Sequence, residues 1–164
     1  MTLPCRKLHR LKSWDYSQTG YYFITICTKD KRKLLSSIFQ NGLDAVVEPT
    51  KIGAMIMDNW KQIATVYPGV ETDYVCIMPN HLHGILIISA PEQQQSKSLS
   101  SIVRAFKSVT TRKYNEFVPE TEKNRLWQSS FYDEIIRNDE MLEDVRNYIV
   151  GNPSKWMDDP MYAD

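Results

Sequence analysis

Residues 70–88 read VETDYVCIMPNHLHGILII. Val70 to Ile77 reads as a long strand, Pro79-Asn80 as a turn, and His81 to Ser89 as a strand returning antiparallel to the first. Upstream, Thr19-Gly20 marks a turn, and YYFITICT (Tyr21 to Thr28) is a strand of aromatic and β-branched residues. LLSSIF and DAVVE suggest a ragged hairpin around the turn dipeptide Asn41-Gly42. Ile52, Met55, Ile56, Trp60 and Ile63 recur at helical spacing between Lys51 and Val66, and Tyr67-Pro68-Gly69 ends the run. Downstream, Glu92 to Ser98 is a polar loop, a helix spans about Leu99 to Asn115, and Pro119 to Arg125 is a charged loop. A strand near Trp127 to Ile136 precedes a last helix, from about Asp139 to Gly151, that stops at Asn152-Pro153. The order strand, helix, strand, strand, helix, strand, helix is the ferredoxin-like or RRM-like split βαβ plan with a C-terminal helix added. The expected fold class is therefore α+β, an antiparallel sheet with helices on one face.

The chain of 164 residues is expected to form one domain, 1–164, whose first twenty residues are a basic N-terminal segment. A hydrophobic share of 42% and a charged share of 24% are ordinary for a globular protein. No apolar run approaches the ~20 residues that cross a bilayer, so no membrane partner is expected. Three cysteines, Cys5, Cys27 and Cys76, are an odd count without a C-x-x-C, which argues against a disulfide framework and points to the cytoplasm. The formal net charge is zero, against a protein that coats nucleic acid indiscriminately. The distribution is uneven: Arg6, Lys7, Arg10 and Lys12 crowd the start without an acid, and five bases without an acid lie between Lys97 and Lys113. Such patches suit local docking of a polyanion.

Side chains alternate along a strand, so His81 and His83 point the same way. They are either half of a metal site or two half-buried, hydrogen-bonded and inert histidines. On the helix near Leu99, Leu99, Ile102, Val103, Phe106 and Val109 fall on one side and Lys97, Arg104, Lys107 and Arg112 on the other. That uniformly basic side is either a solvated face or a phosphate-binding one. On the last helix, Met141, Val145, Tyr148 and Asn152 share a stripe, where Tyr148 reads as core and Asn152 as a helix end. Combined, the pieces admit chemistry. A phenol with an ordinary pKa of about 10 is a poor nucleophile at neutral pH. A cation that neutralises the attacked phosphate removes much of that handicap. Two histidines completed by the Asn152 carboxamide oxygen, one turn from Tyr148, could hold that cation. Tyr114, on the basic helix, is a rival nucleophile by periodicity.

Five blocks in order, RLKSWDYSQTGYYFITICT, MPNHLHGILI, FKSVTTRKYN, LWQSSFYDEIIRNDE and YIVGNPSKW, resemble the HUH single-tyrosine transposases, and within them the REP-associated tyrosine transposases. The resemblance covers nearly the whole chain. It implies that His81 and His83 ligate a divalent metal, Mg²⁺ or Mn²⁺, and that Tyr148, opening a Y-x-x-x-(Q/N) motif, is the nucleophile. It implies Asn152 as third ligand, where insertion-sequence transposases often carry Gln, one methylene longer. It aligns the motif with Tyr148 and leaves Tyr114 a packing or DNA-contacting residue. Arg6 through Lys12 is implied to help read single-stranded DNA beside a hairpin. The implied activity is single-strand DNA cleavage and strand transfer near REP-like palindromes through a covalent 5′-phosphotyrosine, by a monomer or a homodimer. A domesticated DNA- or RNA-hairpin binder of the same fold that no longer cuts is the alternative. A small RRM-like RNA-binding domain with a fortuitous H-x-H is a third reading.

Overall fold

The computed structural model describes residues 19–41, 44–89, 97–159 and 161–162. In chain order the elements are β1 (Gly20–Cys27), β2 (Ser36–Asn41), β3 (Asp44–Pro49), α1 (Lys51–Val66), β4 (Val70–Ile77), β5 (His81–Ile88), α2 (Leu99–Phe117), β6 (Tyr132–Ile136) and α3 (Asp139–Gly151). Single-turn 3-10 segments lie at Lys29–Lys31 and Glu120–Glu122, and a longer one at Pro153–Asp158. β4, β5, β1 and β6 form an antiparallel sheet in that spatial order, the arrangement of a split βαβ fold. β2 and β3 pair separately, as the turn dipeptide predicts, although Gly42 itself lies outside the described residues.

β5 is buried along nearly its whole length, not on alternate residues, so both faces of the sheet need cover. On one face, Tyr22, Ile24, Ile26, Leu82 and Leu86 pack against Trp60 of α1 and Phe106 of α2. Gly84 permits this contact, because a Cβ there would stand 2.4 Å from Trp60 Cζ2. On the other face, Phe23, Ile85 and Ile136 pack against Leu142, Val145 and Ile149 of α3. The added C-terminal helix therefore covers the face that α1 and α2 leave. No helix among the described residues is long and apolar enough to cross a membrane.

One local expectation changes. The strand expected near Trp127 starts only at Tyr132, and Trp127 itself makes an isolated bridge to Thr28. Beside that bridge the Gln128 N–H donates to the Cys27 carbonyl at 2.9 Å, while the Lys107 ammonium takes the carbonyl oxygens of Gln128, Ser129 (2.9 Å) and Ser130 (3.2 Å), so a side chain and not a ladder holds the stretch before Tyr132. At the other end, Asn152-Pro153 ends α3 but not the ordered chain. Pro153 opens the 3-10 segment, and the chain then returns to the turn before β5, where Asn80 Nδ2 donates to the Met161 carbonyl at 2.8 Å.

Candidate metal and tyrosine site

β5 begins directly after the Met78-Pro79-Asn80 turn, and its register with β1 sets Thr25 opposite His83 and Cys27 opposite His81. Both imidazoles lie on the α3 side of the sheet and are buried, not half-buried as the sequence suggests, because α3 and the C-terminal segment close over them. Their Nε2 atoms are 2.9 Å apart. Each outer nitrogen is held: Thr25 Oγ1 lies 2.8 Å from His83 Nδ1, and Asn80 Oδ1 lies 2.8 Å from His81 Nδ1. The Asn80 amide nitrogen already donates to Met161, so its oxygen must accept. His81 therefore carries its proton on Nδ1 and presents a lone pair at Nε2. His83 completes the chain by donating Nε2–H to that lone pair while accepting the Thr25 hydroxyl proton. Both rings stay neutral, and His83 would ligate through Nε2 once its proton moves to Nδ1, where the Thr25 hydroxyl oxygen can accept it. Burial, then the neighbouring His83 and Lys31, holds His81 well below the ordinary histidine range, and burial pushes His83 down to about 3.

Tyr148 projects from α3 against these rings. Its ring centroid is 5.3 Å from that of His83 and 6.0 Å from that of Phe23, edge-on to the latter. The tyrosine and the histidines, far apart in the chain, therefore meet. Asn152, one turn on, is buried at the helix end, and its Oδ1 has no hydrogen-bond partner. A buried, unsatisfied carboxamide oxygen is an acceptor waiting for a cation or a water. The spacing of the imidazoles also suits a divalent ion. At bond lengths of about 2.1 Å, adjacent octahedral donors stand about 3.0 Å apart, close to the 2.9 Å between the two Nε2 atoms.

Sequence reasoning missed three contributors. Asp159 brings a carboxylate oxygen 3.8 Å from His81 Nε2, and one potential ligand atom from it and from each of the two histidines lie within 4.8 Å of one another. Thr25 and Asn80 fix the imidazoles. Asn80 adjoins the histidine pair and could have been suspected, whereas Thr25 needs the strand register. Asp159, in a segment with no motif, gives no signal.

Among the described residues, the basic side chains on and before α2 do not join this site. Arg104 and Arg112 are exposed on α2, which covers the other face of the sheet, and Lys97 is exposed just before it. Arg104 lines an open groove with Ser108, Thr111, Arg125 and Gln128. Lys107 is half-buried, lines the same groove and directs its protons at the 128–130 carbonyls. Tyr114 is buried in the α1–α2 layer, where its hydroxyl accepts from Arg32 Nη1 at 3.2 Å. Arg6, Lys7, Arg10 and Lys12 lie outside the described residues.

The family described as "Transposase IS200 like" matches residues 16–152. An uncharacterised protein of Haemophilus influenzae is 32% identical, over 97% of this chain and 94% of its own. A second Haemophilus influenzae protein, named "Putative REP-associated tyrosine transposase", is 28% identical over 86% of this chain and 74% of its own. Among solved structures, a REP-associated tyrosine transposase bound to a REP hairpin superposes with a TM-score of 0.63 at 22% identity, covering 90% of this chain and 74% of that one.

Proposed function

The chain belongs to the IS200-like transposase family, and on that footing we propose that it is a metal-dependent single-strand DNA endonuclease and strand transferase acting beside a hairpin. The observation that carries this reading is the meeting of Tyr148 with His83, ring centroids 5.3 Å apart. The Tyr148 phenol releases its proton to solvent as its oxygen attacks the scissile phosphorus, and a Tyr–O–P bond forms as the bond to the 3′ oxygen breaks. That oxygen leaves as a 3′-hydroxyl after taking up a proton, and the DNA stays joined to Tyr148 through its 5′ phosphate. One ester replaces another, so a DNA hydroxyl can reverse the step without an external energy source. His81, His83 and Asn152 would hold Mg²⁺ or Mn²⁺, which would neutralise charge on the attacked phosphate.

The partner on this reading is single-stranded DNA with a REP-like hairpin, met in the cytoplasm. The exposed Arg104, Arg112 and Lys97, with Arg6, Lys7, Arg10 and Lys12, would contact its phosphates away from the cut. The RRM-like alternative loses its platform: α3 covers Phe23 and Ile85, on the face where such a domain stacks bases.

The test is incubation with a hairpin oligonucleotide carrying a single-stranded flank, in Mn²⁺ or Mg²⁺. A denaturation-resistant protein–DNA adduct is expected from the wild type and none from Tyr148→Phe. An adduct formed equally by Tyr148→Phe overturns the assignment of the nucleophile. Hairpin binding by a wild type that never forms an adduct favours the non-cleaving binder.

A further inference from the structure

Two imidazoles and a carboxamide are all neutral, so a divalent ion held by His81, His83 and Asn152 alone would bring an uncompensated double charge into a buried site. Buried charge without a partner is strongly disfavoured. Hard cations such as Mg²⁺ and Mn²⁺ moreover take oxygen ligands, carboxylates foremost. The carboxylate that meets this need comes from the far end of the described chain. Asp159 has a side chain only 4% exposed, and its Oδ2 lies 3.8 Å from His81 Nε2. Its other oxygen accepts the Met161 backbone N–H at 2.6 Å, and it accepts a hydrogen bond from the Asn152 side chain.

The segment that delivers Asp159 is seated on the same histidine by independent contacts. Trp156 packs its ring 6.0 Å from that of His81 and 5.1 Å from that of Tyr162. The Met161 carbonyl holds Asn80, which in turn orients His81. Lys33 Nζ lies 4.8 Å from the centre of the Tyr162 ring. Asp159 also lies beyond residues 16–152, the stretch that matches the family.

We propose that Asp159 is a ligand of the metal held by His81 and His83, supplied by the segment after α3, so that metal binding and the seating of this segment reinforce one another. The inference rests on the metal reading given above. It is tested by titrating Mn²⁺ into the full chain without DNA, following free Mn²⁺ by electron paramagnetic resonance. Asp159→Asn keeps the size and hydrogen-bonding oxygen of the side chain but removes the charge. It should weaken Mn²⁺ binding by about tenfold or more, while Asp158→Asn, at the exposed neighbour, leaves it unchanged. A metal-free thermal melt at the wild-type temperature shows that the variant is folded; if it is not, Asp159→Glu takes its place and is expected to retain binding. Wild-type Mn²⁺ affinity in Asp159→Asn, with loss in His83→Ala, overturns the Asp159 assignment alone. Wild-type affinity in His83→Ala, or no binding by the wild type, overturns the metal reading itself.

Discussion

His83 is held between Thr25 and His81 without exposure to solvent, and that confinement gives the metal-free protein a defined response to acid. In the unfolded chain a histidine takes up its proton near pH 6.5. In the folded protein burial pushes His83 down to about 3, and burial with the neighbouring His83 and Lys31 lowers His81 well below its ordinary value. The folded-state values lie below the unfolded ones, so the unfolded state binds more protons throughout that interval. Stability from neutral His83 is fully present above about pH 6.5 and falls as the pH drops toward 3, by up to about 1.4 kcal/mol per pH unit, and His81 acts in the same direction. Urea unfolding in chelator across this range should show the decline, and His83→Gln should make it shallower. An equal slope in the variant would mean that His83 is protonated in the folded state.

At the scale of the element, α3 is the part whose placement decides whether the site exists. Asn138 caps it by accepting the Met141 N–H at 2.8 Å, and Asp139 and Glu140 sit in its first turn, where negative charge suits the helix dipole. Leu142, Val145 and Ile149 bury one face, which turns Tyr148 toward the sheet. A third anchor is ionic. The β4–β5 register shifts between Thr72 and Val75, and in this irregular stretch Asp73 meets Arg146, its Oδ2 accepting from Nε at 2.9 Å and Nη2 at 2.8 Å. Arg146→Ala should therefore lower the single-turnover cleavage rate several-fold while leaving hairpin affinity unchanged, because Arg146 positions the tyrosine helix and touches none of the proposed metal ligands. A loss confined to binding would instead make Arg146 a DNA contact. The bounds and apolar spacing of α3 are legible in the sequence. The Asp73 pairing is not, since it depends on an irregularity in a strand that otherwise reads as regular.

Across the whole molecule, the sheet separates two faces of different character. α1 and α2 cover one, with Arg104 and Arg112 exposed on its outside; α3 and the histidines occupy the other. Tyr148 and His83 of one chain face each other, so on the proposed function each chain would cleave with its own tyrosine. Mixing Tyr148→Phe with His83→Ala tests this. Neither variant alone should form an adduct, and the mixture should form none. Recovery of adduct in the mixture would show that tyrosine and histidines are shared between chains.

The order of strands and helices, the antiparallel return at Pro79-Asn80 and the common direction of His81 and His83 follow from local rules of periodicity, turn chemistry and alternation. These act within a few residues, and the sequence by itself determined them. The contact of Tyr148 with His83, the partners Thr25 and Asn80 that fix the imidazoles, the inward turn of Lys107 and the arrival of Asp159 were decided only by tertiary structure. Each of those depends on which face of the sheet a distant element covers, and on burial that compels a polar group to find its partner within the protein.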